Sequence, residues 1–200
     1  MPIAPGSRYV AMGSSFAAGP GLPSRVPGSP RRAGRSTGNY AHLVARALGL
    51  DLHDVTFSGA TTGDILGPSA AGRAAQLDAV TAETSLVTIT AGGNDVGYLP
   101  RLTLASVPWP LRVLPPVTAR VALFGEPSAT DERFEQLGRN LAAIAGRLRD
   151  RAPADHHAWS AVPWTRRFHL SLRGGAPYHP NAAGMAAVAE LVLARLAEDG

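Results

Sequence analysis

Residues 85–93 read SLVTITAGG, and this run constrains the fold more than any other stretch of the chain. Val87, Thr88, Ile89 and Thr90 are consecutive β-branched residues, and apolar side chains occupy both parities of the run. A strand that is apolar on both faces needs cover on both faces. That condition is met inside a parallel sheet flanked by helices and not in a half-solvated antiparallel one, where polar and apolar positions alternate. With 200 residues, 45% of them hydrophobic and 17% charged, the chain is long enough to bury such a sheet as one domain, residues 1–200.

The first half alternates strand and helix patterns, the signature of an α/β fold. Residues 9–12 (YVAM) predict a first strand, and a Gly-, Pro- and Arg-rich loop spans 19–38. Leu43, Val44, Ala47 and Leu48 place a helix over 40–48. A second strand is expected over 53–59 (HDVTFSG), an alanine-rich helix over 69–80, and the third strand over 85–93. The proline-rich stretch 99–128 contains Trp109, cannot form a long regular helix and is expected to cover a site irregularly. A helix is predicted over 131–149, with Ser128 and Asp131 as a capping box and Phe134, Leu137, Leu141, Ile144 and Leu148 inward. The last helix is predicted over 181–197, with Met185, Val188, Leu191, Val192 and Leu196 inward. No strand pattern separates the end of the long helix near Arg151 from Asp155.

Several function classes are disfavoured. The chain has no cysteine, which rules out disulfides, thiolate metal sites and a cysteine nucleophile. The net charge of +4 comes from scattered arginines without interleaved aromatics, so nucleic acid is not an expected partner. Residues 28–37 (GSPRRAGRST) have five residues between Gly28 and Gly34 and arginine where a phosphate loop needs lysine, so a flexible surface loop is expected. Adjacent His156 and His157 would point to opposite faces of a strand, and no third ligand follows by spacing, so no metal is expected. The N-terminus lacks a basic region followed by an apolar stretch, and no run reaches the ~20 apolar residues of a membrane span. A soluble, cytoplasmic protein is the expectation.

In an open parallel sheet, ligands bind beyond the carboxyl ends of the strands. Those ends deliver Ser15 in GSSFAAG, Gly59 in SGATTGD and Asn94 in GGND, and His179 follows in HPNAAG before the last helix. A serine, a histidine, a glycine amide and an asparagine side chain are the components of acyl transfer. These four motifs, in this order, resemble those of the SGNH hydrolases, also called GDSL esterases and lipases. The resemblance implies a flavodoxin-like three-layer α/β sandwich with a central parallel sheet. It also implies hydrolysis of a carboxylic ester, of an acyl lipid or a small acylated substrate, without a cofactor. Ser15 would be the nucleophile and His179 the base, with the backbone amides of Ser15 and Gly59 and the side-chain amide of Asn94 binding the oxyanion. Phe16 and Trp109 are candidate walls of an acyl pocket, and Asp95 is read as structural, turning the loop after Asn94.

Three departures from the family pattern carry expectations of their own. Ser14 stands where an aspartate is usual, in a turn-supporting position. Ala176 stands three residues before His179, where relatives often carry an acid, so a backbone carbonyl near Ala176 or the Asp155 carboxylate would orient the imidazole. The chain is shortened after Arg151 by one or two of the family's strands, which makes the third strand a hydrophobic sheet edge. Such an edge favours homodimerisation and impaired activity, and the alternative function is a non-catalytic binding remnant of the same fold.

Overall fold

The computed structural model describes residues 3–98, 106–112, 114–115, 127–151 and 182–198. Three strands, β1 (Arg8–Gly13), β2 (Asp51–Asp54) and β3 (Thr84–Thr90), form a parallel sheet in the order β2-β1-β3. The helices are α1 (Ser15–Ala18), α2 (Tyr40–Leu48), α3 (Thr62–Leu66), α4 (Trp109–Arg112), α5 (Pro127–Arg151) and α6 (Ala182–Glu198).

β1 is the central strand, and its alternation divides the core in two. Tyr9 and Ala11 pack with Leu86 of β3 against Tyr40, Ala41, Val44 and Ala45 of α2 and Met185 and Ala189 of α6. Val10 and Met12 pack on the opposite face with Ile65 of α3, Leu77, Val80 and Ile144 of α5. Helices therefore cover both faces, which is the three-layer α/β sandwich expected from the doubly apolar third strand. Within the described sheet β3 is an edge.

Several expected boundaries move, each for a local reason. The ladder of β2 ends at Asp54, where the Oδ1 atom accepts from the Thr56 amide (3.0 Å) and hydroxyl (2.7 Å) and turns the chain. Val55 and Phe57 still donate their amides to Ala11 and Gly13 carbonyls at 3.0 Å, so the segment follows β1 beyond the ladder. The expected helix over 69–80 does not form. Ser69 binds Arg73 through both backbone and hydroxyl, Gly72 adopts φ +74°, and only a 3-10 turn, Gln76–Ala79, remains. The unforeseen α3 starts at a capping box, with Thr61 and Asp64 satisfying each other's backbone amides. Helix α5 begins at Pro127, a residue suited to a first helical position, so Ser128 lies inside the helix instead of capping it. Phe134 and Leu191, both expected inward, are 55% and 42% exposed.

The stretch 28–37, where a flexible surface loop was expected, is pinned. Ala33 is fully buried, Ser58 donates to its carbonyl from both amide and hydroxyl, and Arg35 Nε donates to Thr56 O at 2.7 Å. Arg35 also stands 3.9 Å from Asp54, whose other oxygen accepts from Asn39 at 3.0 Å and lies 3.5 Å from His42 Nε2. Burial pushes the Asp54 carboxyl up, but its contacts with His42, Thr56 and Asn39 outweigh this and hold it below the usual carboxylate range. A depressed folded-state pKa gives stability that is present above the unfolded value near ~3.9 and is lost as pH falls through the folded one. Thermal melts between pH 7 and pH 3 are therefore expected to show Tm falling below about pH 4, with a shallower acid limb in Asp54→Asn. Equal acid limbs in the two proteins would remove Asp54 as the cause.

Candidate active site

The site is built on the turn that leaves β1. Gly13 has φ +138°, and a Cβ there would stand 2.3 Å from the carbonyl oxygen of Thr90 on β3. Only glycine permits β1 and β3 to approach so closely at this turn. Ser14 then donates its amide to that same Thr90 oxygen at 2.9 Å, and the chain enters α1 at Ser15. The Ser14 hydroxyl reaches Thr90 O only at 3.5 Å, a weak contact in keeping with a turn-supporting role. Ser15 is 5% exposed, and Phe16 beside it is half-buried.

The other two strand ends come to the same edge. Gly59 is exposed with φ +84°, and among the described residues a Cβ added there would meet nothing within 4 Å. No described residue thus blocks approach to its backbone on that side. Asn94, on the loop after β3, donates from Nδ2 to Ala60 O at 2.8 Å, and the same nitrogen carries a second N–H. Three hydrogen bonds lace these loops together: Ser14 N to Thr90 O, Phe57 N to Gly13 O, and Asn94 Nδ2 to Ala60 O.

Asp95 does more than turn its own loop. Its carboxylate accepts from the Thr62 amide (3.0 and 3.1 Å) and from the Thr62 hydroxyl at the start of α3. Asn140 of α5 donates to that same hydroxyl at 2.8 Å. The loop that carries Asn94 is therefore anchored to α3 and, through Thr62, linked to α5. Behind Thr90, buried hydroxyls form a second support: Tyr40 lies 3.1 Å from Thr90 Oγ1 and donates to Thr88 Oγ1, which also pairs with Tyr9 at 2.7 Å. Burial raises the pKa of both tyrosines, which keeps these hydroxyls protonated.

Sequence reasoning missed Gln76. Its side-chain amide bonds both backbone groups of Gly13, and the available signal was a lone amide in the apolar run AAQLDAV. A cleft of about 350 Å³ also borders Gln76, with Arg35, His53, Phe57 and Arg73 in its wall, but it contains none of Ser15, Gly59 and Asn94. His179, Ala176, Asp155, His156 and His157 lie outside the described residues, as does the side chain of Trp109. Among the described residues no group of three acidic or histidine side chains is placed to hold a metal ion, and no helix is long and apolar enough to cross a membrane.

Residues 11–187 match the model of the GDSL-like Lipase/Acylhydrolase family. Lipase 2 of Streptomyces coelicolor is 45% identical over 89 residues, covering 44% of this chain and 29% of that protein. A lipase of Streptomyces rimosus is 38% identical over 100 residues, covering 50% and 34%. These alignments take in about a third of either relative's length. Among solved structures, phospholipase A1 from Streptomyces albidoflavus NA297 superposes with a TM-score of 0.70 at 20% identity, over 95% of this chain and 99% of that one. The extracellular lipase of Streptomyces rimosus gives 0.56 at 23% identity, over 94% and 99%. The two superpositions establish a shared fold, and the family match spans most of the chain, including all four motifs. The chain belongs to the GDSL-like lipase/acylhydrolase family.

Proposed function

We propose that this chain is a serine hydrolase of carboxylic esters, acting on an acyl lipid or a small acylated molecule. The observation that carries the reading is the convergence of Ser15, Gly59 and Asn94 on three mutually hydrogen-bonded loops at one edge of the sheet. Family membership and relatives named as lipases support it. Ser15 Oγ attacks the ester carbonyl carbon while His179 takes the hydroxyl proton. The amides of Ser15 and Gly59 and the Asn94 side chain then donate to the oxyanion. Collapse of the tetrahedral species expels the alcohol, which receives the proton from His179. Water, deprotonated by the same imidazole, releases the acid and restores Ser15. Each role is filled by the chain's own groups, so the reaction as written needs no cofactor. Phe16 and Trp109 flank the acyl group in this reading.

A serine-reactive fluorophosphonate tests the assignment. Incubation followed by peptide mass spectrometry is expected to place the adduct on Ser15, and His179→Ala is expected to slow its formation strongly. Folded protein that takes no adduct would instead favour the non-catalytic remnant, in which the shortened region after Arg151 no longer aligns His179 with Ser15.

A further inference from the structure

We infer that Gln76 is a positioning residue for the nucleophile turn, an inference that rests on the assignment of Ser15 above. Gln76 is 7% exposed, and its Oε1 accepts the Gly13 amide at 2.7 Å while its Nε2 donates to the Gly13 carbonyl at 3.1 Å. The register shows why a side chain is needed there. In the parallel ladder Ala11 faces β2, and its carbonyl accepts the Val55 amide; Gly13, two residues on, faces the same side and its carbonyl accepts Phe57 N. Between those two bonds a regular ladder would have the Gly13 amide donate to the Val55 carbonyl. The chain turns at Asp54–Thr56, and Gln76 supplies the acceptor for the Gly13 amide from its side chain.

The pairing demands an amide. One atom must accept and its neighbour must donate, within one planar group, and among side chains of this length only glutamine does both at neutral pH. A carboxylate would turn an acceptor toward the Gly13 carbonyl, and a thioether would leave a buried N–H unpaired. Ser15, whose hydroxyl and amide are both assigned to the reaction, lies two residues along the chain from Gly13. Gln76 thus acts through Gly13 to fix the attack angle and one oxyanion donor. It touches no substrate.

The test compares Gln76→Glu and Gln76→Met with wild type, each confirmed folded by circular dichroism. The readouts are hydrolysis of p-nitrophenyl butyrate and the rate of fluorophosphonate labelling. Both variants are expected to lose about 10- to 100-fold in kcat and labelling rate, with KM changed little, because the defect is in alignment and not in substrate binding. Lowering the pH from 8 toward 5 is expected to restore activity relative to wild type in Gln76→Glu, whose neutral carboxyl again offers one donor and one acceptor, and not in Gln76→Met. Variants that label at the wild-type rate, or a KM change without a kcat change, would overturn the inference alone. Failure of both variants to fold would overturn it in favour of a purely structural role. Wild-type protein with no adduct on Ser15 would overturn the nucleophile assignment, and this inference with it.

Discussion

Replacing Ser15 with alanine is expected to lower kcat on an activated ester by about 10⁴-fold or more, with little change in stability. The two halves of that expectation have separate causes. Ser15 opens α1 and is almost fully buried, and alanine is both the better helix former and the closest truncation, so the turn built by Gly13 and Ser14 is preserved. What disappears is the only hydroxyl that the proposed mechanism uses. Residual catalysis would come from the proposed oxyanion donors on the Gly59 and Asn94 loops, which the substitution leaves in place. Ser14→Ala is the matched control: its hydroxyl reaches Thr90 O at 3.5 Å, and its removal is expected to cost less than about 10-fold. The double variant Ser15→Ala with His179→Ala should be no slower than Ser15→Ala, because a nucleophile and its base act as one unit. Steady-state rates on p-nitrophenyl esters decide the matter. A Ser14 variant slower than the Ser15 variant would reverse the assignment of the two serines.

The strand ends that meet at the candidate site were legible in the sequence. Ser15, Gly59 and Asn94 each follow a strand or its extension, and the four motifs in order sufficed to point to the family. The doubly apolar run ending in β3 announced the parallel sheet and its two helical layers. What was not legible depends on contacts distant in sequence. Nothing near Gln76 indicates that it closes a ladder 63 residues away. Nor does the sequence around Asp95 reveal that its carboxylate holds the start of α3. The helix misread over 69–80 failed for a local reason: alanine content favoured a helix, but Gly72 and the Ser69–Arg73 hydrogen bonds offered the backbone a competing turn. The helix α3, by contrast, could have been found, because Thr61 and Asp64 carry a capping signature in TTGD.

Gly13→Ala and Gly59→Ala are expected to separate folding from catalysis, because the two glycines are required for different reasons. At Gly13 the new Cβ would lie 2.3, 2.9 and 3.0 Å from the O, C and N atoms of Thr90, all of them backbone of a paired strand. No side-chain rotation relieves that clash. The turn must open, which breaks the Ser14–Thr90 hydrogen bond and pulls Gly13 from Gln76 and Phe57. Overpacking and a φ of +138° together imply a loss of about 3–5 kcal/mol, or roughly 10 °C in Tm for a chain of this size. At Gly59 no atom of the described residues lies within 4 Å of the added methyl, so among them only the φ of +84° opposes it, at about 1 kcal/mol. Its methyl group would nevertheless stand beside the proposed oxyanion amide. Gly59→Ala is therefore expected to melt within a few degrees of wild type while losing about 10-fold or more in kcat. Calorimetry alongside ester hydrolysis measures both quantities. Two glycine variants with equal Tm losses would remove the distinction between a glycine that lets strands meet and one that lets a substrate in.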